Sequence, residues 1–307
     1  MAKTVLVALT AAAPLAAVGC DSSEELPTEP PTTITKVATG GFSSPTDAVA
    51  SPDGKTFYFA ARDELNEPAI FRTSSEPGST PEVLAVGAPL DLPIGLVMSC
   101  DGETLYIADM GGELGAVLAL PTALGSTVSD LGATGVVRPG GLAMGKDCAT
   151  LYATGRTDAG EPAAFAIPAA GGATSVIYKG EPLVAPSGLH IDDDDTLWVM
   201  DNRAHADGGE GVLFAIPRDG SAATPVITDL RMGTPGGVSL TAGGGTAVMP
   251  TRDADGNAQL TSVNIKSGEM VQTPSPGIID PAGLRTARKA GVFAIVDSEG
   301  GAIYRAE

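Results

Sequence analysis

Basic charge, histidine and aromatic side chains are all scarce in this chain. Of its 307 residues, 18 are Lys or Arg against 37 Asp or Glu, a formal net charge of −19. No basic cluster stands along the sequence to meet phosphates, and no nucleic acid is expected as a partner. The acidity keeps the molecule soluble and repels like-charged surfaces. Only two histidines, one tryptophan and three cysteines occur. The HExxH, GxSxG and P-loop signatures are missing, so the chemistries they mark have no seat here. Beyond the N-terminus no stretch is long and apolar enough to span a bilayer.

Punctuation, by contrast, is abundant. Gly (40) and Pro (24) together make about a fifth of the chain, far above ordinary usage. With 43% hydrophobic residues and no low complexity, this predicts many short strands joined by turns around a packed core, not long helices.

The first residues read as an export signal. Lys3 supplies a positive start, "VLVALTAAAPLAA" an apolar run, and "AAVGC" the end. Gly19-Cys20 resembles the lipobox of bacterial lipoproteins, in which the cysteine is diacylated and becomes the new N-terminus; the alternative is an ordinary secretory signal cleaved nearby. The reading is residues 1–19 as signal peptide, Cys20 as lipidation site and residues 20–32 as a flexible Pro-rich tether. It puts an exported protein at the bacterial cell envelope, periplasmic or on the cell surface, held to the membrane through its lipid.

Residues 33–307 carry an internal repeat. Pro, two small residues and an aliphatic strand recur as "SPTDAVA", "LPIGLVM", "RPGGLAM", "APSGLHI", "TPGGVSL" and "DPAGLRT". The prolines are Pro45, Pro93, Pro139, Pro186, Pro235 and Pro281, so the spacings are 48, 46, 47, 49 and 46 residues. Each unit continues through a turn such as "SPDG" or "SCDG" to a second strand ("TFYFA", "TLYIA", "TLYAT", "TLWVM", "TAVMP", "GVFAI"), then to a third and a fourth. The last unit stops at Glu307 after three strands, and "TITKVATG" (Thr33 to Gly40) resembles the missing fourth. The expected fold is all-β: one six-bladed β-propeller domain with four antiparallel strands per blade, its last blade closed by the N-terminal strand, which removes an open edge. The chain is read as a monomer.

The pattern "PxGLxxxxDGxTLYxAD" resembles the six-bladed propellers of the NHL-repeat and the senescence marker protein/gluconolactonase group, over all units from Pro45 to Glu307. That resemblance implies the fold. For members with lactonase activity it also implies one divalent metal held by a glutamate opening the first blade and by Asn or Asp just after the later prolines. Here the residues after the prolines are Thr46, Ile94, Gly140, Ser187, Gly236 and Ala282, and Asp47 is the only acid near the first. The metal ligands are not matched, and no cofactor is expected. "DADGN", with Asp253, Asp255 and Asn257, spaces oxygens like a calcium loop but has Ala258 and Asn264 where such a loop needs glycine and glutamate. It is the remaining candidate for a divalent cation.

The second strands end in an alternation. Asp109, Asp201 and Asp297 close them in even units, whereas odd units carry Ala61, Gly155 and Thr251 followed by Arg62, Arg156 and Arg252. These loops lie where the channel of such a fold opens. A rim of three arginines and three aspartates suits a polar or anionic ligand; alternatively each arginine ties its blade to a neighbouring aspartate. His190 lies in the first strand of unit four and its counterpart in unit six is Arg285; both join the candidate set. His205 falls in the long loop "DNRAHADGGEG" and reads as a surface histidine. Cys100 and Cys148 occupy equivalent turns of adjacent units, and export to an oxidising compartment predicts a disulfide between them. Three functions stay open: binding of a small molecule, glycan or protein at the channel face, a gluconolactonase-like hydrolase with a non-standard metal site, and an envelope scaffold for protein contacts.

Overall fold

The computed structural model describes residues 26–204, 210–233 and 235–307. The expected signal peptide, Cys20 and His205 lie outside the described residues. Within them every regular element is a strand, twenty-four in chain order from β1 (Ile34–Thr39) to β24 (Ala302–Ala306).

The strands run as antiparallel meanders. In the first, β2 (Ser43–Ala50), β3 (Thr56–Arg62), β4 (Pro68–Ser74) and β5 (Glu82–Val86) pair in sequence order. Burial falls outward across such a meander. β3 is buried at every position but its ends, while β5 alternates towards solvent. Middle strands are covered on both faces by neighbouring meanders, so an unbroken apolar run such as Phe57-Tyr58-Phe59-Ala60 is what they need. The core therefore lies between meanders, not inside them. Phe42, Phe57, Phe59 and Phe71 of the first pack with Ala294, Val296 and Ile303 of the last, and the Phe59 and Phe71 rings stack at 5.1 Å.

Closure joins the two ends of the chain. β1 pairs antiparallel with β24 from Ile34↔Ala306 to Thr39↔Ala302. The N–H groups of Thr32 and Thr33 both donate to the Glu307 carbonyl at 2.9 Å. The first strands of the meanders line an axis. In order they are β2, β6 (Pro93–Met98), β10 (Leu142–Met144), β14 (Pro186–Ile191), β18 (Ser239–Leu240) and β22 (Pro281–Thr286). Each touches the next, and β22 touches β2.

Four sheets are four-stranded, but the fifth has eight strands, which departs from the expectation of separate four-stranded units. β17 (Thr224–Met232) runs on past its own meander and pairs with β19 (Thr246–Arg252) through Arg231↔Arg252 and Met232↔Thr251. Two meanders are thereby fused at one corner.

The Pro-x-Gly of the repeat has a steric cause. The inner strands converge so closely that a Cβ at Gly188 would stand 2.7 Å from the Gly236 carbonyl oxygen, and one at Gly95 would overlap that of Gly140. These glycines form a collar around the axis. In the first meander the same position is Asp47, the one place where a side chain enters that layer.

The ends of the molecule differ. Turns between first and second strands crowd at one, the lower end. Entry loops before the inner strands, and loops between second and third strands, form the upper end. Cys100 and Cys148 are disulfide-bonded between lower turns of adjacent meanders, with Cα atoms 5.7 Å apart. In the chain-entropy account a bridge across 48 residues stabilises by about 4 kcal/mol. The expected flexible tether is docked along part of its length. From Leu26 onward it lies on the lower end, where Gly243 N–H donates to the Pro27 carbonyl at 2.9 Å.

Candidate functional site

The collar divides the axial channel into two cavities. The upper, about 830 Å³, is lined by entry-loop residues including Thr46, Asp47, Ser187 and Met232. The lower, about 310 Å³, is lined by Val49, Val97, Met144, His190, Ser239 and Arg288 among others. Arg285 borders both. Both volumes fall in the ordinary range of small-molecule sites.

Arg285 is 5% exposed and reaches across the axis. Its Nη1 donates to the Leu189 carbonyl at 2.6 Å and to that of Val238 at 3.1 Å. Its Nε faces Asp47 Oδ2 at 3.5 Å but completes no hydrogen bond. Asp47 accepts from the Leu96 N–H at 2.8 Å and the Ala48 N–H at 3.0 Å. Burial holds the Asp47 carboxyl above the usual carboxylate range, although Arg285 pulls it down. The floor of the upper cavity is thus a buried, incompletely hydrogen-bonded ion pair.

Its wall is basic. Arg138, Arg156 and Arg203 line the cavity with Arg285, and Asp47 is the one carboxylate among the lining residues. Arg138 and Arg203 are exposed, and their guanidinium groups make no hydrogen bond or ion pair within the described residues. Arg156 donates only to carbonyls, those of Gly160 at 2.8 Å and Val184 at 3.1 Å. An acidic protein therefore concentrates unneutralised positive charge in one cleft. Thr46, Ser187 and Asn202 add neutral polar groups, and Ile94, Met110 and Met232 add apolar wall.

The even-odd alternation has a mechanical explanation. Asp109, Asp201 and Asp297 are 3%, 0% and 1% exposed. They present no free carboxylate at the rim; each accepts N–H groups of its own entry loop. Asp109 takes those of Asp91 and Leu92, Asp201 those of Val184 and Ala185, and Asp297 those of Ile279 and Asp280. In odd units the entry segment instead meets the second strand through its backbone, as Ser43↔Arg62, Val137↔Arg156 and Arg231↔Arg252. The carboxylate is then not needed. Arg62, Arg156 and Arg252 each close their own loop on the carbonyl four residues ahead. Two of them also grip the next even unit's entry loop: Arg156 at the Val184 carbonyl, and Arg252 at the Asp280 carboxylate at 2.7 Å. Arginine and aspartate hold the same loop residues from opposite sides without touching each other.

Of the candidate residues, the structure brings Arg156 and Arg285 to the upper cavity and places His190 in the lower one. His190 Nδ1 lies 3.3 Å from Ser239 Oγ, which itself accepts the Thr286 N–H at 3.0 Å. Burial, with Arg285 and Arg288 nearby, pushes the His190 pKa down to about 3, so the ring is neutral at physiological pH. In the calcium candidate, Asp253 Oδ1 is taken up by the N–H groups of Asp255 and Asn257, and Oδ2 by Asn257 Nδ2. These are the bonds of a hairpin turn; Asp63 accepts the Leu65 and Glu67 N–H groups in the same way in the first meander. Among the described residues no three His, Cys, Asp or Glu side chains gather to hold a metal ion. Arg138 and Arg203 were not legible as site residues, because each precedes or follows the repeated motif in a loop of its own. Asp47 stood out only as the acid near the first proline; the signal that could have found it is its place where the other five units have glycine after Pro-x.

No family model and no curated protein matches the sequence. Solved structures do match. A chain of the nidogen/laminin complex is 17% identical, with 75% of this chain and 82% of that one covered at a TM-score of 0.59. A Bacteroides thetaiotaomicron protein of unknown function is 12% identical over 90% of this chain and 72% of its own, at 0.65. A glucose dehydrogenase is 12% identical over 90% and 99%, at 0.63. These neighbours are β-propeller proteins, and at such identities the likeness establishes the fold alone: this chain is a β-propeller by structure.

Proposed function

We propose that this protein is an exported, lipid-anchored six-bladed β-propeller that binds a small anionic molecule in its upper cleft. Support for the blade number comes from the inner strands, which touch in a closed cycle. It also comes from the core, whose clusters each join two neighbouring meanders. The eight-stranded sheet is then two blades fused at a corner. The anchor rests on Lys3, the apolar run and Gly19-Cys20.

One observation carries the binding reading. Four arginines line a cavity of about 830 Å³ that holds a single, already paired carboxylate, in a chain of net charge −19. A fixed cationic cleft on an acidic body attracts an anion into one place while the rest of the surface repels it. Guanidinium groups pair bidentately with carboxylate or phosphate, and Arg138 and Arg203 are free to do so. Fold alone does not choose between binding and catalysis, since its neighbours include a member of a protein complex and a dehydrogenase. In a thermal-shift panel of sugar acids, dicarboxylates and phosphates beside their neutral isosteres, anionic members raise the melting temperature and neutral ones do not. Arg138→Ala with Arg203→Ala removes the shift. Stabilisation by the neutral sugars alone would reject the reading.

A further inference from the structure

The lower end of the molecule is covered by its own N-terminal segment. Leu26 lines the lower cavity beside Pro52, Thr241 and Arg288. The Pro27 carbonyl accepts from Gly243 in the lower turn of the fifth unit, and the Pro27 ring lies where a Cβ of Gly291 would come within 2.7 Å, in the lower turn of the sixth. Pro31 is buried, its carbonyl accepts from Thr273 Oγ1 at 3.2 Å, and Thr32 and Thr33 then hold the Glu307 carbonyl. From the other side Arg288 crosses the mouth, donating through Nη2 to the Met144 carbonyl at 2.9 Å and that of Gly145 at 3.2 Å. Gly243 and Gly291 are shaped to this contact, because any side chain there would strike Leu26 or Pro27.

We propose that this docking fixes the orientation of the protein on its membrane: the lower end sits against the bilayer and the arginine cleft faces the aqueous compartment. The inference rests on the lipid-anchor reading for Cys20. Leu26 is six residue steps from Cys20, and an extended chain gains at most ~3.3–3.6 Å per residue, so the lower mouth stays within about 22 Å of the acylated cysteine. A second strand of six residues such as Thr104–Asp109 spans about 20 Å, so the upper loops stand a comparable distance farther out. A free tether of residues 20–32 would let the body tumble; one seated from Leu26 does not. The ligand of the cleft is then taken from solution and not from the lipid surface.

The sole tryptophan tests this. Trp198 is the second residue of its strand, Leu197–Asp201, beside the lower turn, and its Nε1 donates to Asp192 Oδ2 at 2.8 Å. Leu65, 82% exposed, lies in an upper loop. The mature chain starting at Cys20 is coupled through that thiol to maleimide lipid in phosphatidylcholine vesicles with dansyl headgroups; Cys100 and Cys148 are bonded to each other and do not compete. Energy transfer to dansyl from Trp198 is expected to exceed severalfold that from a Trp198→Phe, Leu65→Trp variant. The difference should vanish in Leu26→Glu with Pro27→Gly, whose folding is checked by its melting, and on a Gly/Ser insertion after Ser23 that doubles the reach. Equal transfer from both probes, or a gradient that survives both alterations, overturns the docking. The intact mass of the exported protein reads the anchor separately. Unmodified Cys20 would remove the membrane-facing role while the vesicle gradient still reports on docking.

Discussion

Substituting Gly188 by Ala tests the collar that shapes the channel. Gly188 has no left-handed backbone conformation, so Ala fits its dihedrals. In open space that change would stabilise by about 0.4–1 kcal/mol, through a less flexible unfolded chain. Here the new Cβ would stand 2.7 Å from the Gly236 carbonyl oxygen and 3.0 Å from the Val238 nitrogen, where ordinary contact begins at 3.4 Å. Both neighbours are backbone of the segment that leads into the next inner strand. Relief requires that strand to retreat by several tenths of an ångström, against the contacts that hold it in the ring. Overpacking of this kind costs about 1–3 kcal/mol, so the net change is destabilising by about 1–2 kcal/mol. Gly95→Ala, which overlaps the Gly140 carbonyl outright, costs more. Urea unfolding followed by Trp198 fluorescence measures both, with the midpoint shift read at constant slope. The sign decides: a Gly188→Ala protein as stable as the parent, or more so, would refute the collar and with it the steric account of the repeated Pro-x-Gly.

Three further outcomes follow from the same geometry. Asp47→Gly leaves the buried Arg285 charge without its counter-ion and costs about 3 kcal/mol, whereas Asp47→Gly with Arg285→Leu recovers most of it, a coupling read from a double-mutant cycle completed by Arg285→Leu alone. Asp201→Asn keeps the shape but turns an amide N–H₂ towards the Val184, Ala185 and Arg203 N–H groups that the carboxylate now accepts. The expected loss is about 1–3 kcal/mol, read as a lowered urea midpoint. His190 is held neutral down to about pH 3, while the unfolded chain protonates near 6.5. Its contribution is complete above pH 6.5 and is lost as pH falls towards 3, by up to about 2 kcal/mol at pH 5. Stability measured between pH 5 and 7 should therefore fall less steeply in His190→Gln than in the parent.

The repeat made the meanders legible because each carries its own turn signals and its own apolar middle strand. "TITKVATG" was recognisable as the missing fourth strand, and β1 does pair with β24. Cys100 and Cys148 could be paired because equivalent turns of adjacent units are neighbours in space. The fused eight-stranded sheet was not legible, since it depends on β17 continuing by two residues into the pairing Arg231↔Arg252 and Met232↔Thr251. The alternation of Asp109, Asp201 and Asp297 with Arg62, Arg156 and Arg252 was visible, but its meaning was not. Whether a carboxylate faces a ligand or its own entry loop depends on the path of that loop, and the sequence pattern is the same in either case. The cleft was legible only in part: Arg156 and Arg285 stood among the candidates, whereas Arg138 and Arg203 come from loops of different units and join them only around the axis. Asp47 left a trace, as the acid standing where the other units have glycine.

The central claim is charge recognition in the upper cleft, and calorimetric titration of the protein with a sugar acid and its neutral parent sugar tests it most directly. A hydrogen bond to a charged group contributes about 1.5–3 kcal/mol, so the acid should bind roughly 10–100-fold more tightly than the neutral sugar. That advantage should shrink with added salt and disappear in Arg138→Ala with Arg203→Ala. Equal affinity for the two sugars, or an acid preference that survives loss of both arginines, would contradict the account.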